Sequence, residues 1–146
     1  MMRYRFVDEV VTLELGEAPR IEIRKTFDVA DDALTGPDGP RAVPGSLLLE
    51  LLAMAGGHLV FRHLGSRRLP LLLKVPELRI DGPARPGIGV SARARLRGVS
   101  DMGDGVSVAE TEGEVEQSGV PVASGRCLYV CVTVPGVDLT AYERLS

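Results

Sequence analysis

One carboxylate in this sequence lies where carboxylates are rare. Glu50 has three leucines before it and two after it in the stretch PGSLLLELLAMAGGHLVF, residues 44–61. An ionised carboxylate in apolar surroundings is costly unless a partner or a proton neutralises it, and acid–base catalysts use such surroundings. We therefore take Glu50 as a candidate catalytic acid. The alternative is a first-turn glutamate that the helix dipole stabilises, with Ser46 as the N-cap residue.

The other side chains that could do chemistry give weaker signals. The two histidines of the sequence, His58 and His63, follow Glu50 by two or more helical turns, and we interpret them as surface or core side chains. Cys127 and Cys131 are four residues apart in a strand-like segment, which separates them by about 13 Å, too far for a disulfide. We interpret both as core residues of a protein from a reducing compartment. The sequence therefore predicts no metal site, and no cofactor is expected.

Length and composition limit the kind of protein that this chain can be. Its 146 residues suit one domain, residues 1–146, and 45% of them are hydrophobic but only 4% aromatic, so the core must be mainly aliphatic. The net charge of -3 argues against a nucleic-acid partner. The N-terminal residues show no signal peptide, and the apolar stretch 47–61 is shorter than the roughly 20 residues of a membrane span. We expect a cytoplasmic protein without membrane contact.

The elements that would position Glu50 are one helix and a set of strands. Apolar residues on every side predict a helix from about residue 44 or 46 to His63, with Gly65 as its C-cap. Alternating patterns predict strands at 10–15, 20–29, 69–80, 90–97, 106–117 and 122–134. Pro76 interrupts the strand at 69–80. This order predicts an α+β fold, in which an antiparallel sheet of five to six strands wraps around the helix. A single wrapped sheet leaves part of such a helix uncovered, so we expect a dimer.

Three stretches of the sequence resemble one protein family. They are RYRFVDEVVTLELG (3–16), VPGSLLLELLAMAGG (43–57) and VPELRIDGPARPG (75–87). They are similar to the bacterial 3-hydroxyacyl-acyl carrier protein dehydratases, which have the hot-dog fold. The resemblance implies a dimer in which a His from the loop before one helix works with an acidic residue, here Glu50, on the helix of the other subunit. The residues that it places near the thioester are Pro44, Gly45, Lys74 and Val75.

The sequence departs from this family at two places. The family's catalytic His lies in the loop before the helix, but the corresponding loop, TGPDGPRAVPG, has Gly36 or Pro37 there. We interpret Asp38 in the same loop as a turn residue and not as a substitute base. The two histidines on the helix lie too far along it to replace the missing one. The first departure therefore removes the His, which is half of the family's catalytic pair. The second departure is Lys74, which stands where relatives often have a small Gly.

Basic residues form two groups in the sequence. The first group lies near the helix end and consists of Arg62, Arg67 and Arg68. These arginines either compensate the helix dipole or dock an acidic acyl carrier protein. The second group alternates along a predicted strand, and we expect it to pair with the alternating glutamates of the next strand. It consists of Arg93, Arg95 and Arg97, and the glutamates are Glu110, Glu112, Glu114 and Glu116.

The missing base leaves several functions open. In the first, the chain is the Glu50-bearing subunit of a heterodimer that dehydrates 3-hydroxyacyl thioesters on acyl carrier protein, in fatty-acid or polyketide (polyene-type) synthesis. A homologous hot-dog partner then supplies the His, so the chain is incomplete on its own. In the second, the chain only stabilises an active dehydratase. In the third, it is a hot-dog acyl thioesterase whose helix Glu needs no His. A homodimer and a plain acyl-binding module are further alternatives.

Overall fold

The computed structural model describes residues 6–29, 35–36 and 39–145, and these contain one α-helix and eight strands. The strands before the helix are β1 (Glu9–Glu14), β2 (Arg20–Lys25) and the two-residue β3 (Thr35–Gly36) and β4 (Gly39–Pro40). The helix, α1, is Gly45–His63. The strands after it are β5 (Leu69–Ile80), β6 (Val90–Gly103), β7 (Val106–Gln117) and β8 (Val120–Val132), and a 3-10 helix (Leu139–Glu143) follows.

Six of the strands form one antiparallel sheet, in the order β1-β2-β6-β7-β8-β5. The helix α1 packs against β2, β5, β6, β7 and β8, so that one face of the sheet holds the helix and the other is exposed. The α+β architecture with a six-stranded sheet around one apolar helix is therefore confirmed. The small hairpin of β3 and β4 lies in the loop that leads to α1.

Tight turns join the last strands of the sheet. Asp104 and Gly105, between β6 and β7, have φ angles of 54° and 77°, and Ser118 and Gly119, between β7 and β8, have 52° and 78°. Positive φ at both central residues is the type I′ pattern, whose twist matches that of the flanking strands. Both connections are therefore two-residue hairpin turns.

Small residues in the middle of the sheet let α1 approach it closely. Ala94 of β6, Gly113 of β7 and Gly125 of β8 are direct neighbours across the three strands. A Cβ atom on Gly113 would overlap the carbonyl oxygen of Arg93 and lie 3.1 Å from Cδ2 of Leu52 on the helix. The close packing of helix and sheet therefore depends on a position without a side chain. The most buried large side chains around it include Ile21, Ile23, Leu48, Leu51, Leu59, Val90 and Val115.

The outer face of the sheet carries a ladder of arginines and glutamates. Arg93 bonds Glu22 of β2 at 2.7 Å and Glu116 of β7 at 2.9 Å. The other pairs of the ladder are Arg95 with Glu112 and Glu114, Arg97 with Glu110 and Glu112, and Arg126 with Glu77 and Glu110. The predicted pairing of β6 arginines with β7 glutamates is confirmed. Such exposed pairs contribute only about 0.2–1 kcal/mol each, so they set register and solubility more than stability.

Both ends of α1 differ slightly from the sequence prediction. Pro44 is the N-cap residue and gives no side-chain hydrogen bond, so the assignment of Ser46 as N-cap is wrong. The helix begins one residue before Ser46, which therefore lies within the first turn. At the other end Leu64 is the C-cap, and Gly65 follows it with a φ of 74°. The N–H groups of Gly65 and Ser66 bond the carbonyls of the last turn, which is the Schellman arrangement that a glycine at this place permits.

The strand β5 forms one edge of the sheet and is more continuous than predicted. It runs through Pro76 with register shifts against β8 between Leu72 and Glu77, and its position at the edge tolerates the missing N–H group.

On the neighbouring strand, β8, Cys127 and Cys131 are buried and free, as the sequence predicts. Burial raises the pKa of both thiols, so they stay protonated near neutral pH.

The helix α1 is long and apolar enough to cross a membrane by length and composition alone. More than half of its apolar window is buried within the protein, which is the situation of the core helix of a globular fold. The sheet supplies that burial, as the sequence predicts.

Candidate functional site

An open groove of about 370 Å³ runs along the side of α1 that the sheet leaves uncovered. Its helix wall is a stripe at helical spacing, made of Glu50, Ala53, Met54, Gly57, His58 and Phe61. The opposite side comes from the start of β5 and from the C-terminal residues, with Leu69, Pro70, Leu72, Tyr142 and Leu145. Tyr129 of β8 also lines it. The groove is therefore mainly apolar, with one carboxylate and one imidazole on the same helix.

Glu50 does not lie in the surroundings that the sequence predicts for it. Its side chain is exposed in the single chain, because the leucines at 48, 51 and 52 face the sheet while Glu50 faces the groove. The prediction of a carboxylate buried among leucines is therefore wrong. The alternative, a first-turn glutamate, is wrong as well, since the first turn of α1 holds no acidic residue. Within the described part of the chain, Glu50 has no ion pair and no side-chain hydrogen bond.

His58 lies in the groove wall about two turns beyond Glu50, and only 7% of it is exposed. Its pKa is lowered to about 4, mainly by burial and also by the positive charge of Arg62, while the carboxylate of Glu143 acts in the opposite direction. The imidazole is therefore neutral at pH 7. The interpretation of His58 as a surface or core side chain agrees with its burial, but its place in the groove wall is not predicted. Its spacing of eight residues from Glu50, which puts both on one helix face, was the available signal.

The buried, neutral His58 predicts a loss of stability in mild acid. The unfolded chain binds a proton at this side chain near pH 6.5, whereas the folded chain binds it only near pH 4. Stability from this residue is thus fully present above pH 6.5 and is lost as the pH falls towards 4, by about 3 kcal/mol at 1.36 kcal/mol per pKa unit. Urea unfolding at pH 7 and pH 4.5 measures this difference. We expect His58→Gln to reduce it and His63→Gln, at an exposed position, to leave it unchanged. Equal pH dependence in wild type and His58→Gln would contradict the assignment.

Tyr129 ties the helix wall of the groove to the sheet. Its hydroxyl donates a hydrogen bond to the carbonyl oxygen of Ala53 at 2.7 Å, and burial raises its pKa. Its ring packs under Gly57, where an added Cβ would lie 3.3 Å from a ring carbon. A Cβ on Gly56 would overlap the hydroxyl of Thr111 and lie 2.7 Å from that of Tyr129. The Gly56–Gly57 pair is thus required for the tyrosine to fit, and together they hold the groove wall in place.

The residues predicted to bind the thioester do not line the groove. Pro44 is exposed at the start of α1, and Gly45 lies against the end of β5, with an added Cβ only 3.3 Å from Cδ1 of Ile80. Lys74 is exposed and Val75 half-buried in the middle of the edge strand β5. The single chain therefore brings Gly45 to β5, but it does not gather these four residues around Glu50.

The loop before α1, in which the dehydratases that the sequence resembles have their catalytic His, is described only in part. Gly36 belongs to the short strand β3, whereas Pro37 and Asp38 lie outside the described residues. Val43, just before the helix, donates its N–H to the carbonyl of Ala84 at 2.8 Å and so fixes the entry to α1.

The three arginines predicted to dock a carrier protein have different surroundings. Arg62 is half-buried on α1 and acts electrostatically on His58. Arg67 is exposed, whereas Arg68 donates a hydrogen bond to the hydroxyl of Ser107 and lies 3.9 Å from Asp101. Only the charge of Arg67, among these three, is fully presented to solvent. In the described ranges of the chain, no group of three His, Cys, Asp or Glu side chains could hold a metal ion.

Comparison of the sequence with protein-family models gives no match, and comparison with curated proteins gives none either. Solved structures, in contrast, share the fold. The yhdA protein of Lactococcus lactis, a proposed thioesterase, matches with a TM-score of 0.67 at 12% identity, over 88% of this chain and 94% of that one. The dehydratase heterocomplex ApeI:P of Xenorhabdus doucetiae matches with a TM-score of 0.64 at 16% identity, over 94% and 88%.

A third similar structure contains a thioester-forming cofactor. It is a proposed thioesterase of Streptococcus pneumoniae solved with coenzyme A, with a TM-score of 0.62 at 13% identity, over 86% of this chain and 88% of that one. Such low identities establish the fold and leave the activity open. The chain has the hot-dog fold, as its resemblance to the dehydratases implies.

Proposed function

We propose that this chain is a subunit of a dehydratase that acts on 3-hydroxyacyl thioesters carried by an acyl carrier protein, and that Glu50 is its catalytic acid. One observation carries the proposal. The Glu50 carboxylate opens into an apolar groove and has no acid–base partner among the described residues of its own chain. A second hot-dog subunit that faces the groove would supply the histidine base and exclude water. The dehydratase heterocomplex with the same fold supports such pairing.

The chemistry requires two groups on opposite sides of the substrate. A base removes the proton next to the thioester carbonyl, and Glu50 gives a proton to the leaving β-hydroxyl, so that water departs and a double bond forms. Backbone N–H groups of the first residues of α1, next to Pro44, would stabilise the negative charge on the carbonyl oxygen. The backbone of Lys74 and Val75 in the edge strand would hold the thioester. Neither the base nor the acid needs a cofactor for these proton transfers.

The carrier protein is acidic in this proposal, and the helix end is the surface that it would meet. Arg67 presents its charge to solvent there, while Arg62 is half-buried and Arg68 interacts with Ser107 and Asp101. Exposed charges of this kind mainly raise the rate of association. Synthesis of fatty acids or of polyketides in the cytoplasm is the setting in which such carrier-bound substrates occur.

The test is an activity assay with the chain in its assembled form. We would supply a 3-hydroxyacyl thioester on acyl carrier protein to the purified chain, alone and co-expressed with a hot-dog homologue that has a Gly-His loop. Loss of water from the acyl group, followed by mass spectrometry, is the expected result in the assembly that covers the groove. Hydrolysis to a free acid would indicate a thioesterase instead, which the thioesterase-like neighbours favour as second candidate. Tight acyl binding without turnover would indicate a binding module.

A further inference from the structure

The loop between β5 and β6 is held by one buried side chain of β7. Gln117, the last residue of that strand, is only 8% exposed. Its amide Nε2 donates to the carbonyl oxygens of Arg85 and Ile88, both at 2.9 Å, and its Oε1 accepts the N–H of Arg85 at 2.8 Å. Burying a polar amide is costly unless its groups find partners. Here the partners are backbone groups of the loop, so Gln117 fixes residues 85–88 against the end of the sheet.

The same loop is attached to other segments as well. Its first residue, Asp81, donates its N–H to the carbonyl of Val122 at 2.9 Å, one residue beyond the pairing of β5 with β8. Gly87 donates its N–H to the carbonyl of Phe27 at 2.7 Å, beyond the end of β2. The side chains of Phe27, Val122 and Ala84 are buried in one core cluster. The loop is therefore a junction that joins the ends of several strands.

The start of α1 is fixed through this junction. Val43 donates its N–H to the carbonyl of Ala84 at 2.8 Å, and the next loop residue is Arg85, which Gln117 holds by both of its backbone groups. Pro44, the N-cap residue of α1, directly follows Val43. A continuous path of hydrogen bonds and backbone therefore leads from the side chain of Gln117 to the first turn of the helix.

The first turn of α1 has little else of its own to hold it. Pro44 gives no side-chain hydrogen bond to the turn. The N–H groups of Gly45 and Ser46 come before the first hydrogen bond within the helix, so that they have no acceptor there. These are the groups that would bind the thioester carbonyl in the proposed reaction. A misplacement of roughly 1 Å at a reacting group can lower the rate by a factor of about 100, so the position of this turn affects catalysis.

We propose that Gln117 is a positioning residue, which holds the N–H groups at the start of α1 where they bind the thioester carbonyl. It acts through Arg85, Ala84 and Val43 and does not line the groove. The inference rests on the proposed dehydratase function. Loss of the three hydrogen bonds of Gln117 would displace the loop and the entry to α1, while the pairing of β7 with β6 and β8 stays in place.

Two substitutions of Gln117 test this role in the assembled protein. Gln117→Met keeps the length of the side chain and removes all three hydrogen bonds, whereas Gln117→Glu keeps an acceptor for the N–H of Arg85 and loses both donated bonds. We expect Gln117→Met to lower kcat for dehydration by a factor of about 10 to 100 and to change KM by less than about twofold. Gln117→Glu should show the same division between kcat and KM.

Val115→Ala is the matched control for loss of stability. Val115 lies two residues before Gln117 on the same face of β7 and is fully buried, but its apolar side chain holds no backbone group of the loop. The variant should have a lower urea midpoint and a kcat near that of the wild type. An equal loss of kcat in Val115→Ala and Gln117→Met, or a larger effect of Gln117→Met on KM than on kcat, would overturn the positioning role. If neither variant of Gln117 folds, the residue is required for folding and the positioning role fails as well.

Hydrogen exchange separates this inference from the proposed function, because it needs no turnover. In Gln117→Met the amide of Val43 should exchange at least about tenfold faster, relative to the amides of β7, than in the wild type. In Val115→Ala this ratio should not change. An unchanged ratio in Gln117→Met contradicts the inference even where dehydration is observed. If no assembly dehydrates the substrate, the proposed function fails, while faster exchange at Val43 still supports the hold of Gln117 on the start of α1.

Discussion

Replacing Glu50 by glutamine is expected to lower the rate of dehydration by a factor of about 10² to 10⁴, the usual worth of a general acid. Glutamine has nearly the same shape but cannot deliver a proton to the leaving hydroxyl. The exposed Glu50 makes no ion pair with the described residues, so the free energy of unfolding should change by no more than about 0.5 kcal/mol. The expected result is a stable, assembled protein with a much lower kcat.

The matched control is Glu17→Gln, which removes one exposed carboxylate from the turn between β1 and β2, away from the groove. It should leave both activity and stability unchanged. Measurement of kcat and KM separates loss of chemistry from loss of binding, because a group that acts only in the transition state lowers kcat with little change in KM. If an assembly containing Glu50→Gln keeps full activity, while the partner without this chain loses its activity, the chain is a non-catalytic stabilising partner.

The second large effect is expected on stability, at Gly113. Its change to alanine should lower the free energy of unfolding by about 3 kcal/mol, at the upper end of the usual cost of overpacking. The new Cβ would overlap the carbonyl oxygen of Arg93, which the pairing of β6 with β7 holds in place, and would press on Leu52. Neither neighbour can move without opening either the sheet or the contact between sheet and helix. The total free energy of unfolding of a small domain is only about 5–15 kcal/mol, so this loss is a large fraction of it.

Gly98→Ala is the control for this substitution. Gly98 lies in β6, the strand that contains Ala94, the cross-strand partner of Gly113. An added Cβ on Gly98 would meet nothing within 4 Å. Urea unfolding should give a clearly lower midpoint for Gly113→Ala and a midpoint near that of the wild type for Gly98→Ala. Equal midpoints for the two variants would show that the sheet at Gly113 adapts more easily than its geometry indicates.

Local patterns in the sequence carried most of the information about the fold. The apolar run to His63 and the glycine after it defined the helix, and the alternation of arginines in β6 with glutamates in β7 defined a strand pair that the salt bridges confirm. These features depend on residues near one another in sequence, or on periods that a sheet imposes. They are readable because burial and exposure alternate regularly along each strand.

The candidate site was harder to predict, because it depends on which side of the helix the sheet leaves open. Counting the leucines around Glu50 suggested burial, but the leucines and the glutamate point to different sides of α1. Tyr142 and Leu145 complete the groove from a C-terminal segment that has no regular period, so no local pattern places them there. The position of His58 in the same stripe follows from its spacing of eight residues from Glu50.

The strand order also has a consequence for how the chain folds. β6, β7 and β8 follow one another through two-residue turns, so they can pair soon after they are made. β2, in contrast, pairs with β6 across about half of the chain, as in the pair Ile21 and Ala94. Closing so long a loop costs entropy before any contact compensates it, and such topologies fold slowly. We expect the hairpins of the C-terminal half to form the folding nucleus and β1 and β2 to dock last.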